Sequence, residues 1–275
     1  MRLRLASANL FSGRSPLGSG QSGPRGADQA VDTGTMARSL ARLDADVLAL
    51  QEVDRCQPRS GHADQAAAIA EACGLPHHRF VPLIAGTPGV SGWRPAEPLG
   101  PPPPGPSYGI ALASRRPVTS WHVLPLRPPR GRWPLLLPSR PPRLLWLNEE
   151  PRAAVAAVLA EDRLVVACTH LAFVPGVNAA QLRRVRAWLA ALAVDSGATP
   201  VLLGDLNLPG RLPARITGWT PLVTGPTYPA PAPRLQVDHV LAAGLPAAGA
   251  GRAVPLGFSD HLAVLAEIAG HPGPD

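Results

Sequence analysis

Thr169-His170-Leu171, Gly204-Asp205-Leu206-Asn207 and Ser259-Asp260-His261 lie far apart in the chain, yet each follows or sits within a run of small apolar residues. Runs of that kind read as buried strands, which puts the polar residues where strands leave the core and meet solvent. Two histidines, two aspartates and an asparagine gathered at strand ends suit metal-assisted attack on a phosphate ester. One imidazole is available as a base, the other as an acid or charge stabiliser.

The elements that must position these groups follow from pattern. Arg2 to Asn9 alternates charged and apolar residues and reads as a first strand. Ser12 to Thr33 is rich in Gly, Ser and polar residues and reads as a mobile loop. Thr33 or Thr35 is expected to cap a helix carrying Met36, Leu40 and Leu43 on one face. Asp46 to Gln51 reads as a buried strand that delivers Glu52, and Asp64 as the cap of a helix that Gly74 ends. The proline tract from Pro95 to Pro106 belongs on the surface, because proline cannot enter a sheet interior. Gly109 to Ser114 resumes a strand. Residues 125–142 are dense in Pro and Arg, and Arg127, Arg130, Arg132, Arg140 and Arg143 meet no acid before Glu149. That segment reads as a basic flap or as a solvated loop. Arg152 to Leu159 and Arg163 to Cys168 form a strand pair around Glu161-Asp162, and a helix capped by Asn178 runs to Val194. Strands recur at Pro200 to Leu203, Gln236 to Leu241 and Ala263 to Ile268. This alternation describes one α/β domain over residues 1–269 with a short tail, 270–275.

At 275 residues and 45% hydrophobic content the chain can bury a sizeable core. No apolar stretch is long enough to span a bilayer, and the N-terminus lacks the apolar centre of a signal peptide, so a soluble, cytoplasmic protein is expected. Cys56, Cys73 and Cys168 share no close spacing, which suggests neither disulfides nor a zinc site. The net charge of +7 points to nucleic acid as a partner. Every basic side chain is arginine, however, so the charge also fits a compositional bias of the whole chain.

Asn9, Gln51-Glu52-Val53-Asp54-Arg55, Thr169-His170-Leu171, Gly204-Asp205-Leu206-Asn207, Val237-Asp238-His239-Val240 and Ser259-Asp260-His261 resemble, in the same order, the motifs of the endonuclease/exonuclease/phosphatase superfamily. The resemblance implies a four-layer α/β sandwich, two face-to-face mixed β-sheets flanked by helices, with the site at one end. It implies Glu52 as principal ligand of Mg²⁺, or of Mn²⁺ in its place, assisted by Asn9 and with Asp260 close to the ion; hard cations favour such oxygen donors. His261 matches the candidate base beside the water nucleophile, with Asp205 and Asn207 placing or polarising water and phosphate. His170 matches the histidine that bonds a phosphate oxygen and aids the leaving group, and Asp238 the carboxylate that orients a catalytic histidine.

Arg152 resembles the family's phosphate-clamping arginine, and a structural ion pair with Glu149 or Glu150 is the other reading of it. Tyr108 matches an aromatic placed before a strand ending in Ser-Arg, with a substrate-binding or a core-packing role. No acid stands two positions beyond Tyr108, where nucleases of the deoxyribonuclease type carry one. The expected activity is Mg²⁺-dependent hydrolysis of a phosphodiester, DNA or RNA slightly favoured as substrate. An inositol-phosphate or phospholipid hydrolase of the sphingomyelinase kind is the alternative. A catalytically silent binding module would be expected to have lost metal or base residues that this chain keeps.

Overall fold

The computed structural model describes residues 2–13, 31–88, 92–129, 131–137, 143–246 and 251–269. The expected loop after Ser12 and the tail 270–275 fall mostly or wholly outside these residues. In chain order the elements are β1 (Arg2–Asn9), α1 (Thr33–Ala41), β2 (Val47–Arg55), α2 (Gln65–Ala72), β3 (His77–Ala85) and β4 (Arg94–Pro95). There follow β5 (Ser107–Ser114), β6 (Ser120–Leu126), β7 (Arg132–Leu137), β8 (Arg143–Asn148), β9 (Arg152–Leu159) and β10 (Leu164–His170). The chain closes with α3 (Val177–Ser196), β11 (Thr199–Asp205), α4 (Leu212–Thr217), β12 (Thr220–Pro221), β13 (Asp238–Ala242), β14 (Arg252–Val254) and β15 (Ala263–Ala269).

One sheet runs β14-β15-β1-β2-β5-β3-β4, the other β12-β13-β11-β10-β9-β6. Period-two alternation explains why they pack face to face. Leu3 and Leu5 of β1, Val47 and Ala49 of β2, Val155 and Ala157 of β9, and Val201 and Leu203 of β11 share one buried core. The intervening residues serve the outer layers. Leu48 and Leu50 pack with Met36, Leu40 and Ile69 of α1 and α2, while Ala154, Ala156 and Leu202 pack with Leu182, Val185 and Leu189 of α3. The result is the four-layer sandwich expected from the sequence.

Local details depart from expectation. The cap of α1 is Asp32, whose carboxylate accepts from Thr35 N at 2.9 Å; an ionised side chain one residue earlier replaces the expected threonine. Asp64 caps α2 as expected, accepting from Ala67 N. Asn178 does not cap α3. The helix starts from Gly176, and Asn178 instead donates from Nδ2 to Asn207 O at 2.8 Å. Seven strands escaped the sequence reading: β3, β6, the pair β7 and β8 inside the segment read as a flap or loop, and the two- and three-residue strands β4, β12 and β14.

Candidate active site

Chain direction alone brings the polar residues to one end. β1 and β2 run parallel, as do β10 and β11, so Asn9, His170 and Asp205 end their strands on the same side, and Glu52 follows Gln51, the β2 partner of Asn9. β13 and β15 run antiparallel to those neighbours, which returns Asp238 and the Asp260-His261 pair to that side at their starts. Register finishes the alignment: His170 stands opposite Asp205, and Asp205 opposite Asp238. The close approach of β10 and β11 depends on Gly204, where a Cβ would lie 1.9 Å from Thr169 O.

Glu52 sits in a β-bulge. The pairing of β2 with β5 slips between Leu50 and Val53, and Glu52 adopts φ 57°. A left-handed conformation is costly for a non-glycine residue and re-aims its side chain out of the strand's alternation. Asn207 is held similarly, at φ 48°. Ser259 ties the end of β1 to the last loop, donating from Oγ to Asn9 O at 2.7 Å and accepting from His261 N at 3.0 Å.

Asp205 is the hub. Its Oδ2 accepts from Asn9 Nδ2 at 3.2 Å and lies 3.5 Å from His170 Nε2 and 3.9 Å from His261 Nε2. Its Oδ1 accepts from Asn207 N at 3.0 Å, while Asn207 Nδ2 is committed to Leu171 O. Asp238 Oδ2 lies 2.9 Å from His261 Nδ1, a contact that orients the ring and leaves Nε2 facing Asp205. Tyr228 packs against the same ring, centroids 4.8 Å apart.

Electrostatics separate the two histidines. Burial disfavours a charge on His261, but Asp238, with Asp205 and Asp260 behind it, overcomes that and holds the pKa up to about 10. Burial, then Arg152 and His261, push the His170 pKa well below the ordinary value, so this ring is neutral. The carboxylates are crowded. Burial with Asp238 beside it lifts Asp205 to about 6, burial lifts Asp260 to about 6 against the pull of His261, and burial with Glu150 raises Glu52.

A divalent cation suits this donor set. The buried Oδ1 atoms of Asp260 and Asp238 have no hydrogen-bond partner, and several carboxylates are held in one buried region at raised pKa. Among the described residues Asp205, Asp238 and His261 bring ligand-type atoms within 4.8 Å of one another. The His261–Asp238 contact already occupies two of those groups, which leaves Glu52 and Asp260 as the freer oxygen donors. Asn9 turns its Nδ2 to Glu52 Oε1 at 3.2 Å as well as to Asp205, and its oxygen accepts from Phe11 N. In this structure it steers both carboxylates.

The residues expected to touch substrate form the flank. Arg152 is buried and ion-paired, Nη2 lying 2.6 Å from Glu149 Oε1 and 3.9 Å from Glu150 Oε2, as in the ion-pair reading. Tyr108 is buried, with the guanidinium of Arg59 5.9 Å from its ring centroid, and Arg59 grips Asp54 at 2.7 and 2.8 Å. Sequence reasoning overlooked Tyr228, which stands in a proline-rich loop without any pattern to mark it, and the tethering role of Ser259.

Comparison with known proteins bears on the family and the fold. No curated protein matches the sequence. An endonuclease/exonuclease/phosphatase protein from Beutenbergia cavernae is 24% identical, with 99% of this chain and 72% of that one covered at a TM-score of 0.68. Sphingomyelinase C from Streptomyces griseocarneus is 17% identical, with 97% and 99% covered, at 0.57. The Bacteroides thetaiotaomicron mannosyl-6-phosphatase is 14% identical, with 97% and 99% covered, at 0.61. The model of the Endonuclease/Exonuclease/phosphatase family matches residues 6–261. With the strand-end site lying inside that span, the chain belongs to the endonuclease/exonuclease/phosphatase family of phosphoesterase hydrolases.

Proposed function

We propose that the protein hydrolyses a phosphodiester by in-line attack of water, with Mg²⁺ as cofactor and Mn²⁺ as a substitute. The observation that carries this reading is the Asp205 carboxylate, which has both imidazoles and the Asn9 amide around one oxygen. Glu52 and Asp260, steered by Asn9, would hold the ion. When bound, it supplies neutralisation of the phosphate charge. Asp205 and Asn207 place the attacking water, and the unprotonated form of His261 accepts its proton at Nε2; the charge of an ion held by Glu52 and Asp260 would favour that form over the imidazolium that the free protein carries. Asp238 keeps that ring in the tautomer with Nε2 open. Neutral His170 donates a hydrogen bond to a phosphate oxygen as charge builds, and Arg152 stands behind it as a fixed positive charge.

The site selects the bond, and the alcohol is chosen outside it. A sphingomyelinase and a sugar phosphatase share this fold, so fold does not name the substrate. The case for nucleic acid from net charge weakens, because Arg2, Arg4, Arg55, Arg59, Arg115, Arg116 and Arg152 are each paired with a carboxylate. The acid-free run of arginines from 127 to 143 is the observation that keeps DNA or RNA as a second reading. The test is a screen of purified protein, with Mg²⁺, Mn²⁺ or chelator, over a generic soluble diester, plasmid DNA, inositol phosphates and sphingomyelin. Metal-dependent cleavage of the soluble diester is expected. No cleavage of any of them under either metal overturns the proposal.

A further inference from the structure

Strands β7 and β8 pair only with each other among the described residues, apart from both large sheets. Two strands alone are marginal in water, and such a pair usually keeps one apolar face for a core and one polar face for solvent. The sequence of this pair lacks the polar-apolar alternation that such a division needs. Trp133 to Leu137 and Leu144 to Leu147 are consecutive apolar residues, matched across the register as Trp133 with Leu147, Pro134 with Trp146 and Leu135 with Leu145. Trp133 and Trp146 are 37% and 53% exposed. Around them the sequence is basic: Arg127, Arg130, Arg132, Arg140 and Arg143 precede the first acid, Glu149.

The stem of the hairpin stands at the active end. β6 ends at Leu126, opposite Arg152, and β8 ends one residue before Glu149. Glu149 binds Arg152 and accepts from Phe173 N at 3.3 Å, while Gln181 Nε2 donates to Arg127 O at 3.3 Å. Both ends of the hairpin are thus fixed beside the loop that follows His170. Two paired strands of unbroken apolar sequence, two exposed tryptophans and a basic flanking sequence match the layers of a membrane surface. Tryptophan favours the boundary between water and acyl chains, and arginine is drawn to anionic headgroups. Stacking on nucleic acid would use the tryptophans and arginines but gives no reason for the leucines.

We propose that the β7–β8 hairpin docks on a bilayer containing anionic lipid and presents the active site to phosphodiesters of lipid headgroups. The inference rests on the phosphodiesterase reading and names its substrate class. The test uses the full chain in chelator, so that binding is scored without hydrolysis. Sedimentation is measured with vesicles of phosphatidylcholine, with and without phosphatidylserine, and tryptophan quenching with brominated lipid. Wild type is expected to bind the anionic vesicles and to be quenched. Trp133→Ser with Trp146→Ser should lower partitioning on the order of tenfold or more, while hydrolysis of a soluble diester stays unchanged, which also shows that the variant is folded. Absence of vesicle binding and quenching by wild type, equal partitioning by the variant, or oligonucleotide binding that depends on the two tryptophans in place of vesicle binding would each overturn it. Vesicle binding without cleavage of any soluble diester would instead count against the phosphodiesterase reading alone.

Discussion

Asp260 should weaken the metal-free fold that it equips for function. Its carboxyl is lifted from 3.8 to about 6, chiefly by burial, and its Oδ1 has no hydrogen-bond partner. A carboxylate with a raised folded pKa costs nothing below about pH 4, where both states are protonated. The cost grows as pH rises through 6 and is complete above it. Roughly two units correspond to at most ~3 kcal/mol, and partial exposure of the side chain brings that to about 1–2 kcal/mol. Asp260→Asn removes the charge at nearly constant shape. In chelator at pH 7.5 the variant should therefore melt about 2–8 °C above wild type, at ~2–4 °C per kcal/mol for a chain of this size. At pH 4 the two should coincide. Added Mg²⁺ should reverse the order, since a ligand at about 100 times its Kd stabilises wild type by ~2.7 kcal/mol and the variant binds it poorly. Thermal melts at both pH values, with and without Mg²⁺, check the sequence of signs. A variant that melts below wild type in chelator at pH 7.5, or that gains as much from Mg²⁺, refutes the assignment.

Asp238→Asn should lower turnover of a soluble diester by about 10²- to 10⁴-fold with an unchanged circular dichroism spectrum, as expected when a histidine loses its orienting carboxylate. His170→Ala and His261→Ala should each cost at least about 10²-fold, and the double variant far less than their product, because both rings serve one transition state; additive losses would separate their roles. Gly204→Ala should destabilise by about 2–4 kcal/mol, seen as a lower denaturant midpoint, because its Cβ would strike Thr169 O and part β10 from β11.

The layers of the fold were legible where side-chain periodicity is strict. β1, β2, β9 and β11 alternate residues between the inner core and the helix layers, and the apolar spacing of Leu182, Val185 and Leu189 marked α3. β3 and β6 were obscured because His77, His78, Arg79, Ser120 and His122 break the apolar run at half-buried or exposed positions. β7 and β8 were hidden by prolines, which a two-stranded pair with open edges tolerates. In the site, the motif order named Glu52, His170, Asp205, Asp238 and His261, and all but Glu52 stand at or beside a strand end. It did not reveal that Glu52 rides a bulge at positive φ, that Asn9 turns its nitrogen to the carboxylates, or that Asp32 and not a threonine caps α1. Those outcomes depend on register and on neighbours distant in sequence, which local pattern does not encode.

Glu52→Gln tests the central claim most directly, because it keeps the shape of the bulge and removes the anionic oxygen proposed to hold the ion. Mn²⁺ binding by electron paramagnetic resonance and hydrolysis of a soluble diester would be measured side by side on wild type and variant. The expected result is metal-dependent turnover by wild type that chelator abolishes, with the variant losing both Mn²⁺ binding and at least about 10²-fold in turnover while its melting temperature in chelator does not fall. Undiminished turnover by Glu52→Gln, or wild-type hydrolysis that persists in excess chelator, would contradict it.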